Sequence, residues 1–275
     1  MNSNQKQRVR LEPGATSLYA CQNDQRFSYC AYIPSAFDHT DPLKHPLLVV
    51  IHGTERGAQQ YRDEFKDFSE RIGAIILAPL FPAGIGEPGE LNSYKKIKYH
   101  DIRFDYVLLA MIQEFTSQYG IDRQKFLLFG FSGGGQFVHR FFYLHPDRLL
   151  GVSIASPGNV TLLDQNLDWF IGIRDFQEQF GTDIQWEEIR RVPVQLLIGS
   201  EDNKSLPSGK DNPFWLPGVE MAGDTRLERI RTLCENWTSV GIHVQYEEVP
   251  EAAHEGSKLV PYVKDFFADL LKQNV

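Results

Sequence analysis

Apolar and polar positions alternate along this chain in two distinct rhythms. Leu47-Leu48-Val49-Val50-Ile51 is an uninterrupted apolar run, the pattern of a strand buried on both faces. Tyr61, Phe65, Phe68 and Ile72 then recur at helical spacing, which predicts one helix face. Ala74 to Ala78 is the next strand, closed by Pro79, and a long loop carrying Gly84, Gly86, Pro88 and Gly89 follows. Tyr106, Leu109, Ile112 and Phe115 line a second helix ending near Gly120. Lys125 to Gly130 reads as a strand, Phe137, Phe141 and Leu144 as a helix stopped at His145-Pro146, and Leu149 to Ala155 as another strand. Val194 to Ile198 is the next strand. Thr225 and Glu228 form a capping box that opens a helix with Leu227, Ile230, Leu233 and Trp237 inward. Ile242 to Val249 is a strand, and Leu259, Val263, Phe266 and Leu270 mark a final helix. Phe27 to Ile33 reads as an edge strand.

Strands alternating with helices imply parallel crossovers, hence an α/β fold with a mostly parallel central sheet and helices on both faces. No repeat or low-complexity tract interrupts it, so residues 1–275 are taken as one domain. Two stretches break the alternation, about 157–190 and 203–223. Both follow strands, on the side where α/β sheets bind ligands, and they are expected to form loops or a small lid.

Composition narrows the function. The 42% hydrophobic and 23% charged fractions suit a globular protein with a real core. The formal net charge of −8, with no basic block, argues against a nucleic-acid partner. No apolar run approaches the roughly 18–20 residues needed to span a bilayer, and the polar start MNSNQKQRVRLEPG is unlike a secretion signal. Three cysteines, Cys21, Cys30 and Cys234, match no zinc spacing and read as reduced thiols of a cytoplasmic protein.

The chemistry concentrates at Gly130-Phe131-Ser132-Gly133-Gly134. As a bare G-x-S-x-G pattern this is weak. Its setting is specific, because it joins the apolar strand 126–129 directly to the following helix, as a nucleophile elbow requires. A serine in so tight a turn projects its hydroxyl above the sheet, and large side chains two residues away on either side would clash. The N–H of Gly133, at a helix start, is an unpaired donor aided by the helix dipole and suits an oxyanion. His52-Gly53-Thr54 follows the strand 47–51, and the backbone N–H of Thr54 is the expected second donor. No phosphate-binding glycine loop or Walker lysine is present.

The order serine, acid, histidine is expected along such a chain. Asp202, after the strand 194–198, is the preferred acid, with Glu201 as competitor. His254 is the one histidine beyond the strand 242–249 and is the expected base. His52 precedes the serine and is taken as structural, as are His39, His45, His100, His139, His145 and His243, none of which forms a metal-ligand pair. Phe131, Phe214, Trp215 and Leu216 are expected to supply apolar surface to a substrate pocket.

These residues resemble the α/β-hydrolase superfamily from about residue 27 to 272. Tyr119 to Gly135, with Asp122 and His145-Pro146-Asp147, looks like the branch of polyhydroxyalkanoate depolymerase-like and feruloyl esterase-like proteins, although Glu251-Ala252-Ala253 stands where that branch often has a glycine-rich turn. The resemblance implies Ser132, Asp202 and His254 as a triad, with Gly133 and Thr54 as oxyanion donors. The expected reaction is cleavage of a small-molecule carboxylic ester through an acyl-enzyme, without metal or organic cofactor. A peptidase, amidase or thioesterase would use the same triad, and a catalytically silent binding protein could share the fold.

Overall fold

The computed structural model describes residues 11–121, 124–206 and 218–273. Eleven strands occur among these residues. Two-residue strands β1 (Gly14–Ala15) and β2 (Tyr19–Ala20) precede β3 (Ser28–Ile33) and β4 (Leu47–Ile51). β5 (Ile75–Leu80) follows, then a small hairpin of β6 (Lys98–Tyr99) and β7 (Ile102–Arg103). β8 (Phe126–Phe131), β9 (Leu149–Ala155), β10 (Val194–Gly199) and β11 (Val244–Val249) complete the set. The helices are α1 (Ala58–Glu64), α2 (Lys66–Ile72), α3 (Phe104–Tyr119), α4 (Gly133–Leu144), α5 (Phe176–Phe180), α6 (Trp186–Arg191), α7 (Arg226–Ser239) and α8 (Gly256–Gln273).

All strands except the hairpin join one nine-stranded sheet, in the order β1-β3-β5-β4-β8-β9-β10-β11 with β2 also on β3. From β5 through β11 every pairing is parallel, while β1, β2 and β3 run antiparallel at one end. The apolar runs are explained by burial on both faces. In β4, Leu47, Val49 and Ile51 enter one core and Leu48 and Val50 the other, and β8 divides in the same way. Residues of α3, α4 and α7 fill the first core, and those of α1, α2 and α8 the second. Burial of this kind contributes about 1.5–3 kcal/mol per large apolar side chain, which fixes the register of the central strands.

Three elements differ from the sequence reading. The helix expected through Tyr61–Ile72 is two, broken at Phe65, whose backbone (φ −104°, ψ 9°) is shared by both ends. The break turns the buried Phe65 and Phe68 rings toward the sheet, where Phe65 meets Phe129. In α3 the inward residues are Phe104, Leu108, Met111, Ile112 and Phe115, and Tyr106 is 54% exposed, capped by the Arg103 guanidinium. Phe27–Ile33 is not an edge, since β1 and β2 pair along the outer side of β3. The capping box of α7 forms as expected, with Thr225 and Glu228 bonding each other's backbone N–H.

The stretch 157–190 is tied to the body of the fold. The Thr161 N–H donates to His139 Nε2 (3.0 Å), the Tyr143 hydroxyl donates to the Thr161 carbonyl (2.6 Å), and the Leu163 N–H donates to Asn236 Oδ1 (2.8 Å). Its Phe170 and Ile171 pack on Val219, so the two irregular stretches touch. Of the second stretch, residues 207–217, with Phe214, Trp215 and Leu216, lie outside the described residues, as does Asp122.

Candidate active site

Ser132 sits where β8 turns into α4, at φ +55° and ψ −113°. This is a costly conformation for a non-glycine residue, held here by its surroundings. The Ser132 N–H donates to the Ala155 carbonyl (2.9 Å), and its own carbonyl accepts from the Gln136 N–H (3.1 Å). The flanking glycines are sterically required. A methyl on Gly130 would strike the Gly134 carbonyl and stand 2.7 Å from Val138 Cγ2. One on Gly134 would strike the Ile51 carbonyl and stand 2.9 Å from that of His52.

Three strand ends bring the polar side chains together. His254, in the loop between β11 and α8, places Nε2 3.0 Å from Ser132 Oγ. Its Nδ1–H donates to Asp202 Oδ2 at 2.6 Å, beyond the end of β10. This fixes the tautomer, leaving Nε2 unprotonated toward the Ser132 hydroxyl. Asp202 is buried at 2% exposure, and burial alone would raise its carboxyl pKa. The hydrogen bond from His254 and the charges of His254 and Arg226 more than offset this and hold it below the usual carboxylate range. Arg226 Nη1 donates to Asp202 Oδ1 at 3.3 Å, so both carboxylate oxygens are engaged. Glu201 is exposed, with its N–H on the Ala252 carbonyl (2.8 Å), and it takes no part in the cluster. The Phe131 ring lies against the His254 imidazole, with centroids 4.7 Å apart.

The opposite flank of Ser132 is formed by Gly133 and the loops over it. A methyl on Gly133 would strike the Tyr94 hydroxyl and stand 2.9 Å from Lys95 Cε and 3.0 Å from Thr54 Oγ1. Thr54 is therefore beside Gly133, as the sequence reading required. His52 is fully buried: its ring bridges the Gly53 carbonyl (Nδ1, 2.7 Å) and the Phe81 N–H (Nε2, 3.0 Å). Burial keeps it neutral, with its pKa lowered to about 4. It pins the ends of β4 and β5 together and does not reach the cluster.

Tyr94, Lys95, Arg56 and Arg226 were not singled out by the sequence. The first two arrive on the long loop after β5, whose path has no periodic signal. The only trace they leave is the glycine at 133, in a position between the two elbow glycines where a side chain would otherwise fit. Among the described residues no cluster of three or more His, Cys, Asp or Glu side chains is placed to hold a metal ion, and no helix is long and apolar enough to cross a membrane.

No known family profile and no curated protein sequence matches this chain. Solved structures do. Poly(aspartic acid) hydrolase-1 from Sphingomonas sp. KT-1 is 20% identical, with a TM-score of 0.73 over 93% of this chain and 98% of that one. A poly(3-hydroxybutyrate) depolymerase from Bordetella parapertussis is 23% identical, with a TM-score of 0.73 over 95% of each chain. An S-formylglutathione hydrolase from Agrobacterium tumefaciens is 13% identical, with a TM-score of 0.62 over 94% of each. A ferulic acid esterase is also similar, at 15% identity and a TM-score of 0.57 over 94% of this chain and 98% of that one. The chain therefore has the α/β-hydrolase fold, and both kinds of protein named by the sequence resemblance stand among its structural neighbours.

Proposed function

We propose that this α/β-hydrolase-fold protein is a serine hydrolase that cleaves a carboxylic ester. The observation that carries the reading is the continuous relay Ser132–His254–Asp202, with contacts of 3.0 and 2.6 Å at the end of the sheet. Its neighbours include proteins described as a depolymerase, an esterase and hydrolases, which supports hydrolysis as the reaction class.

In this mechanism the Ser132 oxygen attacks the ester carbonyl carbon as its proton passes to His254 Nε2. The oxyanion is held by the N–H groups of Gly133 and Thr54, the first at the positive end of α4. Asp202 holds the imidazole in the productive tautomer and stabilises its cation. His254 then protonates the departing alkoxide. Water, deprotonated by the same histidine, attacks the acyl-serine and releases the acid. The strain at Ser132 belongs to this role, because it presents Oγ toward His254 while leaving the next N–H free.

The test is labelling with a fluorophosphonate, read by intact mass and peptide mapping, on wild type, Ser132→Ala and His254→Ala. One label per chain on Ser132, absent in both variants, together with ester turnover, is the expected result. Well-folded wild type that neither labels nor turns over esters would refute the proposal.

A further inference from the structure

The Gly133 flank of the site holds more positive charge than its own residues neutralise. Lys95 is 6% exposed, yet its ammonium makes one hydrogen bond, to the neutral Asn92 Oδ1 (2.6 Å), and no ion pair among the described residues. An ammonium carries three N–H donors, so two are unmatched by the described residues. Among the described residues Arg56, whose guanidinium lies over the Tyr94 ring, donates only to carbonyls, those of Phe81, Thr54 and Leu91. Arg140, fully buried beneath, reaches the Lys95, Gln136 and Asn159 carbonyls and the Thr161 hydroxyl, and again no carboxylate among the described residues. Two acids act on Lys95 electrostatically, Glu90 and Glu55. The Glu90 carboxylate is occupied by the N–H groups of Asn92 and Ser93. Three cations thus face two acids in a chain whose net charge is −8.

A buried ammonium with unmatched donors is costly unless an anion arrives to meet it. Its place indicates which part of a substrate would bring one. His254 lies on the Phe131 side of Ser132, and Lys95 on the Gly133 side with Thr54. The carbonyl oxygen sits on this same flank, at the Gly133 and Thr54 N–H groups, and the leaving oxygen must reach His254 to be protonated. The acyl chain is therefore the carbon-side group not drawn toward His254 and the one free to extend past the oxyanion toward Lys95. We propose that Lys95 is a specificity-determining residue whose ammonium binds a carboxylate on the acyl part of an anionic ester. Arg56 and Arg140 add to the positive potential there while their own donors remain on carbonyls. This assignment rests on the serine-hydrolase reading above and narrows it to half-esters of dicarboxylic acids or residues of a polyanionic ester chain. Lys95 takes no part in bond making.

The experiment compares kcat/KM for monomethyl glutarate with that for the neutral methyl hexanoate, by titrating released acid at pH 7. Wild type, Lys95→Gln and Lys95→Met are used. The glutamine retains a donor for Asn92 without the charge, and thermal unfolding verifies folding of both variants. Wild type should favour the anionic ester, and Lys95→Gln should lose ten- to a hundredfold more on it than on the neutral one, roughly the range of a charge-assisted hydrogen bond. Free glutarate should slow fluorophosphonate labelling of wild type and not of Lys95→Gln, a readout that survives if Lys95→Met fails to fold. Equal losses on both esters, or a wild type without preference and unprotected by glutarate, would overturn the assignment while leaving the hydrolase reading intact. No turnover and no label on Ser132 would instead remove the hydrolase reading, and this assignment with it.

Discussion

Replacing Asp202 by asparagine tests the relay at the point where the geometry is most specific. Arg226 Nη1 donates to Oδ1 at 3.3 Å, and His254 Nδ1–H donates to Oδ2 at 2.6 Å. In the variant the amide oxygen must remain at the Oδ1 position, because an NH2 group there would oppose the Arg226 donor. The NH2 group then faces His254 Nδ1 and donates to it. That forces the imidazole proton onto Nε2, which points at Ser132 and no longer accepts. Loss of the productive tautomer lowers kcat by about 10⁴-fold in such relays, roughly 5.5 kcal/mol of barrier. Exchange of a carboxylate for its isostere leaves the packing intact, so thermal unfolding should change little. The assay is kcat for a chromogenic ester together with the rate of fluorophosphonate labelling. Arg226→Met in the Asp202→Asn background supplies the decisive control. With the arginine gone the amide is free to turn its oxygen toward Nδ1–H, and part of the activity should return. A single variant that keeps more than about a tenth of wild-type activity would refute an orienting role for Asp202. A double variant no better than the single would refute the part assigned to Arg226.

Gly134→Ala should destabilise the fold by about 2 kcal/mol, the cost of overpacking against the Ile51 carbonyl outweighing the roughly 1 kcal/mol of helix propensity alanine brings. Urea unfolding measures it, and a stabilised variant would contradict the steric argument. Thr225→Ala removes the side-chain acceptor of the Glu228 N–H and should cost about 1 kcal/mol in the same assay, with no cost if the cap is unimportant. The buried His52 titrates near pH 4 when folded against an ordinary 6.5. The unfolded chain therefore takes up this proton first as pH falls, and stability present above pH 6.5 is lost between 6.5 and 4. This amounts to about 3 kcal/mol from His52 alone at roughly 1.4 kcal/mol per unit. His139, lowered by burial, acts in the same direction. Urea midpoints at pH 7, 5.5 and 4.5 should fall in that order, and a flat profile would mean that the fold tolerates these imidazoles charged.

The central strands were readable because burial on both faces favours an apolar side chain at nearly every position, the buried Ser153 and Gln195 being admitted as a pair that hydrogen-bonds across β9 and β10. The elbow was readable because steric need and chemical need coincide there: the same turn that strains Ser132 forbids side chains at 130 and 134. The face of α3 was misread at Tyr106. An aromatic ring beside an arginine is comfortable in water, and spacing alone does not distinguish it from a core residue. The break at Phe65 carries no proline or glycine and follows from tertiary packing. Arg226 and Lys95 were illegible for another reason. Each acquires its role from a partner distant in sequence, Asp202 for one and the Gly133 flank for the other. Nothing in the sequence around either residue, not even the capping box next to Arg226, points to that partner.

The relay also bears on the order in which the protein is made. Ser132 and His254 are 122 residues apart in the chain, and the strands that hold the elbow, β4, β8 and β9, all precede residue 156. A ribosome therefore releases the strained serine and its helix long before it has synthesised the acid or the base. In the proposed mechanism such a half-made chain has the serine and the Gly133 and Thr54 donors but no proton acceptor. On the proposed function, hydrolysis has to wait until β10, β11 and the His254 loop have docked.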